Sequence, residues 1–238
     1  MRLAGSAVIS AGAALAAYAA PAAARSRAGQ MLFPVTTRVD SEDAVALTFD
    51  DGPDQLTGHF LDLLDEAGAR ATFFLVGEQA AARPGMVREI SGRGHEVAVH
   101  CYRHRSHLLL PPRRTLEDMR WARAVVEEAS AAPVLLFRPP YGVFNAASWT
   151  ESGRLGWRRV LWSRSGREWE VGSTVASVLA GVGRPEAGDV VLLHDSSRYG
   201  RGDAGQLSLG ALPEILEGLS RSGLRARPVG ELLGPGRW

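Results

Sequence analysis

The chain alternates strand-like and helix-like segments from about residue 40 to its C-terminus, and this alternation excludes most fold classes. Seven short apolar runs predict strands at residues 44–49, 71–76, 96–99, 134–137, 159–162, 190–193 and 225–229. Between them, apolar side chains recur with the period of amphipathic helices at residues 56–67, 116–126 and 212–219. Strands that alternate with helices form parallel βαβ units, so the sequence predicts one α/β domain, either a barrel or a doubly wound sheet.

The composition is that of a soluble globular chain. Hydrophobic residues make up 45% and charged residues 22% of the 238 positions, which argues against disorder, collagen and coiled coils. The 27 basic residues, all arginine, nearly balance 26 acidic ones, so no electrostatic reason favours nucleic acid as a partner. Cys101 is the only cysteine, which excludes an internal disulfide and a cysteine-rich zinc module. A metal would therefore be held by histidine and carboxylate side chains.

The N-terminus has the pattern of a secretory signal peptide. Arg2 precedes an apolar, alanine-rich stretch, and small residues at 22–24 are similar to a cleavage site. We predict a signal peptide over 1–24, an extension over 25–40 and one domain over 41–238, in a secreted or cell-envelope protein. A disordered extension on a cytoplasmic protein is the alternative. The stretch is too weakly apolar for a spanning anchor, so stable membrane insertion is not expected, and we expect a monomer.

Two carboxylates stand where the first predicted strand ends. In a parallel barrel such strand ends meet at one mouth, where catalytic residues collect. Asp50 and Asp51 close this strand, and the Gly52-Pro53 turn that follows lets both carboxylates approach one site. A turn with two solvated carboxylates is the alternative interpretation of the motif taken alone.

Two histidines follow the third strand at a spacing suited to a metal. His100 and His104 would share one face of a helical turn, so that both imidazoles reach one ion. The pair alone is weak evidence, because surface and core-edge histidines are common. Together with a carboxylate from the Asp50-Asp51 pair they form a triad with open positions, which is typical of a catalytic metal site.

Two more strand ends carry candidate groups. The fourth strand leads into residues 138–142, where prolines stiffen the loop and Arg138 can pair with a carboxylate. The sixth strand leads into His194 and Asp195, which places a third histidine at the barrel mouth. Each of these two groups of residues, taken alone, is also explained by an ordinary loop or by a hydrogen-bonded polar cap.

Five motifs in chain order resemble those of NodB-homology polysaccharide deacetylases, carbohydrate esterase family four. They are TFDDGP (48–53), HCYRH (100–104), RPPYG (138–142), REW (167–169) and LLHD (192–195). The resemblance covers about residues 44–229, and five ordered motifs are far more specific than any one of them. It implies a single-domain, distorted (β/α)7 barrel, in agreement with the seven predicted strands, and an acetylated carbohydrate as substrate.

The resemblance also implies a metal centre with a base beside it. Asp51, His100 and His104 would bind a divalent cation, usually zinc in this family, although cobalt or manganese can serve. Asp50 would act as the general base and Arg138 as the partner that orients it. The assignment agrees with the chemistry of a cation that polarises an acetyl carbonyl and acidifies a water.

The remaining parts of the site are implied in the same way. His194 would be the general acid, Glu168 the carboxylate that tunes it, and the backbone N–H of Tyr141 a donor to the oxyanion. Trp169 and Leu192 would wall the acetyl pocket, although both residues would also fit an ordinary core.

The chain departs from the family pattern at two motifs. The fourth motif often reads Asp-x-x-Asp-Trp, whereas here Ser165 replaces the first carboxylate and Glu168 the second, so the hydrogen bonding behind the site is open. In the second motif Cys101 stands where Ser or Thr is usual, and we expect a small buried thiol rather than a ligand.

Other polar features receive structural interpretations. His59, His95 and His107 match no motif and are expected to be structural or solvated, with a substrate contact as the alternative for His107. The segment 198–206, rich in glycine and arginine, predicts a flexible loop beside His194. Contact with substrate and a solvated charged face are both open for this loop.

Three functions remain open on the sequence alone. The first is a metal-dependent hydrolase that removes N-acetyl groups from the amino sugars of a chitin- or peptidoglycan-like polysaccharide or oligosaccharide. The second removes O-acetyl groups from polysaccharide, where the better leaving group needs less help from His194. The third is a carbohydrate-binding pseudoenzyme, suggested by the altered fourth motif.

Overall fold

Eight short parallel strands form one curled sheet in the computed structural model, which describes residues 12–200 and 202–234. The strands are β1 (Ala44–Asp50), β2 (Thr72–Val76), β3 (Glu96–Cys101), β4 (Leu136–Phe137), β5 (Arg158–Arg159), β6 (Arg164–Ser165), β7 (Val190–His194) and β8 (Arg225–Arg227). Their order is β5-β4-β3-β2-β1-β7-β6, with β8 paired to the start of β1. No ladder between the described strands joins β5 to β6, so the barrel has a seam there. The predicted α/β fold, a distorted (β/α)7 barrel, is confirmed.

One strand was not predicted, and the strands predicted at 134–137, 159–162 and 225–229 are shorter than expected. The strand predicted at 159–162 overlaps β5 only at Arg159, and the chain then re-enters the sheet as β6. In β6, Arg164 and Ser165 pair with Val191 and Leu192 of β7. A two-residue polar strand has no apolar run or alternation, so the sequence carries no signal for it.

Helices cover the outside of the sheet. They are α1 (Thr57–Glu66), α2 (Gly77–Ala82), α3 (Pro84–Gly92), α4 (Pro112–Ser130), α5 (Ala146–Arg154), α6 (Val175–Val182), α7 (Ala204–Arg221) and α8 (Val229–Leu233). The three periodic patterns correspond to α1, α4 and α7, whose apolar faces are buried. None of the helices in the described part of the chain has the length and apolar character needed to cross a bilayer.

The central strand β1 is buried along its whole length and organises the core. The ring of Phe49 stacks on Phe73 of β2 at 5.0 Å and meets the edge of Phe60 from α1 at 5.1 Å between ring centroids. In the register of β1 with β7, Asp50 lies directly beside His194. The packing that buries β1 therefore also sets which polar groups meet at the barrel mouth.

The segment before β1 packs on the barrel. Residues 12–19 are helical, and two short helices follow at Ala20–Arg25 and Arg27–Gln30. The Tyr18 hydroxyl donates a hydrogen bond to the Leu110 carbonyl (2.6 Å) and accepts one from Asn145 Nδ2 (2.5 Å). Further along, the Thr36 N–H donates to the Arg159 carbonyl and the Val39 N–H to the Gly188 carbonyl, both at 2.8 Å. The extension thus joins β5 to the start of β7.

The sequence-based boundaries at residues 24 and 40 stay predictions, as do the secreted location and the monomeric state. Residues 1–11 of the predicted signal peptide lie outside the described residues. Its remaining part, residues 12–24, includes Ala24, which is wholly buried in the core.

We expect Tyr18→Phe to lower the free energy of unfolding of the full chain by about 1 to 2 kcal/mol, because the Leu110 carbonyl loses its donor and the Asn145 amide loses one of its three acceptors. Urea titration followed by circular dichroism measures the change. Tyr102→Phe is the matched control, since the Tyr102 hydroxyl has no hydrogen-bond partner in the described residues. Equal losses in the two variants would show that the Tyr18 hydroxyl does not anchor the segment.

Candidate active site

The end of β1 delivers two buried carboxylates to the barrel mouth. Asp50 and Asp51 are each only 3% exposed, and Asp51 has a φ of 81°, a left-handed conformation that non-glycine residues seldom adopt. A Cβ at the following Gly52 would lie 2.2 Å from the carboxylate of Asp195, so the turn requires glycine there. The chain reverses tightly enough for both carboxylates to face one cleft.

Asp51 meets the two histidines of the second motif. Its Oδ1 lies 3.5 Å from His100 Nε2 and 3.3 Å from His104 Nε2, and the three potential ligand atoms lie within 4.8 Å of one another. The expectation that the histidines share a helical turn is wrong, because residues 102–106 form an irregular bend. The Asp118 carboxylate accepts hydrogen bonds from the Tyr102 N–H (2.8 Å) and the Arg103 N–H (2.9 Å), which stabilises that bend and brings the imidazoles together.

These three residues fit a divalent cation. The Nδ1 of His100 lies 2.7 Å from the Arg138 carbonyl, which can only accept, so Nδ1 carries the proton and Nε2 presents its lone pair. Asp51 Oδ1 is buried with no hydrogen-bond partner. Two imidazole nitrogens and one carboxylate oxygen are the donor set of a catalytic zinc site.

Burial dominates the protonation of this triad. It lowers the pKa of His100 well below its usual value and that of His104 to about 3, so both imidazoles are neutral and able to bind a metal. Burial raises the pKa of Asp51, His194 opposes that increase, and the charges of Asp50 and Glu168 add to it, so that the pKa is about 7. A cation between these groups would remove the cost of burying the Asp51 carboxylate.

Asp50 is held by the fully buried guanidinium of Arg138. The Nη1 of Arg138 donates to Asp50 Oδ1 (2.6 Å) and to Thr48 Oγ1 (3.0 Å), while Nε and Nη2 donate to the Val160 and Leu161 carbonyls. Burial lowers the pKa of Arg138, and Asp50 opposes that decrease. The pairing occupies one carboxylate oxygen and leaves Oδ2 free on the side of the histidines.

His194 is held by Glu168 on the opposite side of the site. The imidazole Nδ1 lies 2.8 Å from Glu168 Oε1, which also accepts a hydrogen bond from Ser208 Oγ at 2.9 Å. Burial by itself lowers the pKa of His194, but the charge and hydrogen bond of Glu168, together with Asp51 and Asp50, outweigh burial and raise the pKa to about 9. The Nε2 of His194 faces Asp51 Oδ2 at 3.9 Å.

A cleft of about 420 Å³ opens above these groups. Eight of the ten predicted site residues line it, namely Asp50, Asp51, His100, His104, Tyr141, Trp169, Leu192 and His194. The other two, Arg138 and Glu168, are fully buried behind Asp50 and His194. Trp169 meets the edge of the His194 ring at 5.2 Å between centroids, and Tyr141 meets the edge of His104 at 4.7 Å.

Seven further residues line the cleft, and three of them have large side chains that were not predicted to belong to it: Arg25, Trp162 and Tyr199. Tyr199 stacks on His104 with ring centroids 4.8 Å apart, and its hydroxyl donates to Glu78 Oε1 (2.6 Å). The sequence signal that could have identified Tyr199 as a cleft residue is its place in the 198–206 segment, next to His194. Trp162 and Arg25 also line the cleft. Trp162 falls in a predicted core strand and Arg25 in the predicted extension, and no motif marks either residue.

The four residues that were expected to be structural or solvated differ in burial. Cys101 is fully buried, and burial raises the pKa of its thiol well above the usual value. His95 and His107 are also buried, with the Nδ1 of His95 accepting a hydrogen bond from the Ala71 N–H at 3.2 Å. His59 is exposed on α1.

Comparison with known proteins gives the family. The family model for polysaccharide deacetylases matches residues 37–160, more than half of the chain. This chain belongs to the polysaccharide deacetylase family. Its enzyme class is accordingly that of hydrolases acting on N-acetyl amide bonds, and the predicted resemblance is confirmed.

Individual relatives of this deacetylase are similar over most of its length. A peptidoglycan-N-acetylglucosamine deacetylase of Bacillus cereus is 35% identical over 197 residues, covering 82% of this chain and 90% of the relative. A chitooligosaccharide deacetylase of Sinorhizobium fredii is 38% identical over 160 residues, covering 64% and 72%. The structure of a family 4 carbohydrate esterase from Streptomyces lividans in complex with acetate superposes with a TM-score of 0.72 at 30% identity, covering 80% and 95%.

We expect Arg138→Met to destabilise the deacetylase by about 3 to 5 kcal/mol, because the buried Asp50 carboxylate loses the guanidinium that is hydrogen-bonded to it. The double variant Arg138→Met with Asp50→Asn should recover at least about 1 kcal/mol of that loss, since the amide carries no charge. Urea unfolding of both single variants and the double variant gives the coupling energy. Strictly additive losses would show that the ion pair does not stabilise the barrel mouth.

Proposed function

We propose that this deacetylase is a metal-dependent hydrolase that removes N-acetyl groups from the amino sugars of a chitin- or peptidoglycan-like polysaccharide or oligosaccharide. The observation that carries the proposal is the convergence of Asp51, His100 and His104 between a carboxylate held by Arg138 and an imidazole held by Glu168. The names of the Bacillus and Sinorhizobium relatives support the substrate class.

Asp51, His100 and His104 would hold the cation, which the donor set favours as zinc, with cobalt or manganese as substitutes. When bound, a divalent cation polarises the acetyl carbonyl and lowers the pKa of a water toward about 7. Asp50 takes the proton of the attacking water at Oδ2, because Oδ1 is occupied by Arg138. Arg138 orients that carboxylate through its hydrogen bond to Oδ1.

His194 completes the reaction from the other side of the cleft. Its Nδ1 is engaged by Glu168, so Nε2 is the nitrogen that faces the substrate and delivers a proton to the departing amine. Glu168 stabilises the imidazolium before that transfer. An amine leaves poorly without a proton, so this step is essential for an amide substrate.

The walls of the cleft would orient the acetyl group. Leu192 and Trp169 present apolar surface beside His194, which suits the acetyl methyl. The Tyr141 backbone N–H, in a loop whose φ at Tyr141 is 60°, would donate to the developing oxyanion. One well-placed donor of this kind contributes about 3 to 4 kcal/mol to the transition state.

Acetate release from N-acetylglucosamine oligomers, with the metal content measured on the same samples, tests the proposed function. We expect His100→Gln and His104→Gln to lose the metal and about 10³-fold in kcat/KM, because the cation supplies several kcal/mol of transition-state stabilisation. His59→Gln is the matched control, since His59 is exposed on α1 away from the cleft, and it should keep both. Wild-type protein that binds metal yet releases no acetate from a broad acetylated panel would contradict the proposal.

An O-acetyl ester is the second candidate substrate, because the same groups serve acyl transfer to water and one structural relative is an esterase bound to acetate. We expect His194→Ala to reduce amide cleavage by about 10² to 10⁴ and ester cleavage far less, since an alkoxide leaves more readily than the amide anion that would depart without protonation. Parallel assays on an N-acetylated and an O-acetylated sugar measure the ratio. Equal losses on the two substrates would show that His194 does not act as the acid that protonates the departing amine.

A further inference from the structure

A second cavity, of about 780 Å³, adjoins the cleft above the catalytic groups. Arg25 and Trp162 line both spaces, so the two adjoin at these residues near the seam of the barrel, and together they are called the groove. Ten residues line the second cavity, and they also include Arg27, Arg38, Ser163, Arg164, Glu186 and Asp189. None of these ten residues belongs to the five motifs of the catalytic site.

The second cavity carries uncompensated positive charge. Four arginines face two carboxylates, and the buried Asp189 is already saturated by Arg38, by Arg164 Nε at 2.6 Å and by Ser163 Oγ at 2.8 Å. Arg25 and Arg27 form no ion pair with any carboxylate in the described part of the chain. Their guanidinium groups are exposed and available to an anion from solution.

In the full chain, which keeps residues before Arg25, the backbone on either side of Arg25 is well anchored. Ala24 is wholly buried in the core, and its carbonyl accepts a hydrogen bond from Gln30 Nε2 at 3.0 Å. The Ser26 N–H donates to the Ala23 carbonyl at 2.9 Å, and the Ser26 hydroxyl accepts from the Gly29 N–H at 3.0 Å. A short, tethered segment thus presents Arg25 beside the catalytic cleft, which lowers the entropy lost when the side chain binds.

We propose that Arg25 and Arg27, with the indole of Trp162, form a subsite for a carboxylate-bearing sugar unit next to the unit that is deacetylated. Guanidinium groups pair with carboxylates in a bidentate way, and an indole offers apolar surface to a sugar ring. A glycan is favoured over other anions because the second cavity adjoins the cleft that would take the acetyl group. The inference rests on the proposed function and specifies its substrate as an acidic glycan rather than a neutral one.

Two glycans of equal length distinguish the possibilities: an oligomer of N-acetylglucosamine, and one in which alternate amino sugars carry a free lactyl carboxylate. Binding is measured by calorimetry on the metal-free protein, and kcat/KM by acetate release from the metal-loaded protein. We expect wild type to favour the carboxylated glycan about three- to tenfold in both measurements, and the preference to shrink at high salt.

Substitution then assigns the preference to the two arginines. R25Q/R27Q should bring the ratio of the two glycans close to one, and R25K/R27K should retain part of it because the charge remains. R88Q is the matched control, since Arg88 is exposed on α3, has no ion pair within the described residues and lies outside the groove, and it should keep the wild-type ratio. Thermal unfolding of each variant shows that the fold is retained.

Equal binding of the two glycans by wild type would overturn the subsite, as would an unchanged ratio in R25Q/R27Q. Inorganic polyphosphate or a DNA oligomer that binds as tightly as the carboxylated glycan would overturn it too, because the patch would then be a general anion site. A binding preference that R25Q/R27Q abolishes, in a protein that deacetylates neither glycan, would support the subsite and contradict the proposed function.

Discussion

A single buried arginine holds the barrel mouth together. Arg138 follows β4, yet its guanidinium bonds Asp50 and Thr48 on β1 and two carbonyls beyond β5, while its own carbonyl orients His100 from β3. A guanidinium is suited to this position because it stays charged when buried and presents several donors in one plane. One charged side chain therefore connects parts of the sheet that are distant in sequence. It does so near the seam, where the ladder of the sheet is interrupted.

The other buried charges are arranged around that pair. Arg138 balances Asp50, and Glu168 faces the imidazole of His194. Asp51 is left between two imidazoles that burial keeps neutral. The negative charge that remains is that of Asp51, and it lies where two imidazole nitrogens and a carboxylate oxygen converge. This excess negative charge favours a bound cation more strongly than the chemical type of any one ligand does.

Local sequence signals predicted different parts of the molecule unequally well. The apolar runs and helical periods located β1, β7, α1, α4 and α7, because burial of one face imposes a repeat on the chain. The same reasoning missed β6, whose two polar residues are in the sheet only because β7 offers free backbone groups beside them. It also misassigned the backbone between His100 and His104, since the bend there depends on the Asp118 carboxylate, which lies on α4.

The sequence by itself determined the alternating α/β architecture, the strand ends that bear acidic and imidazole groups, and the family, because each of these is written in short contiguous stretches. Only the tertiary structure decided that Tyr199 stacks on His104 and that Arg25 lines the same cleft as Trp162. It also decided that the extension before β1 links the two sides of the seam. Contacts between residues far apart along the chain depend on strand register and on how loops pack, and neither leaves a periodic or local mark in the sequence.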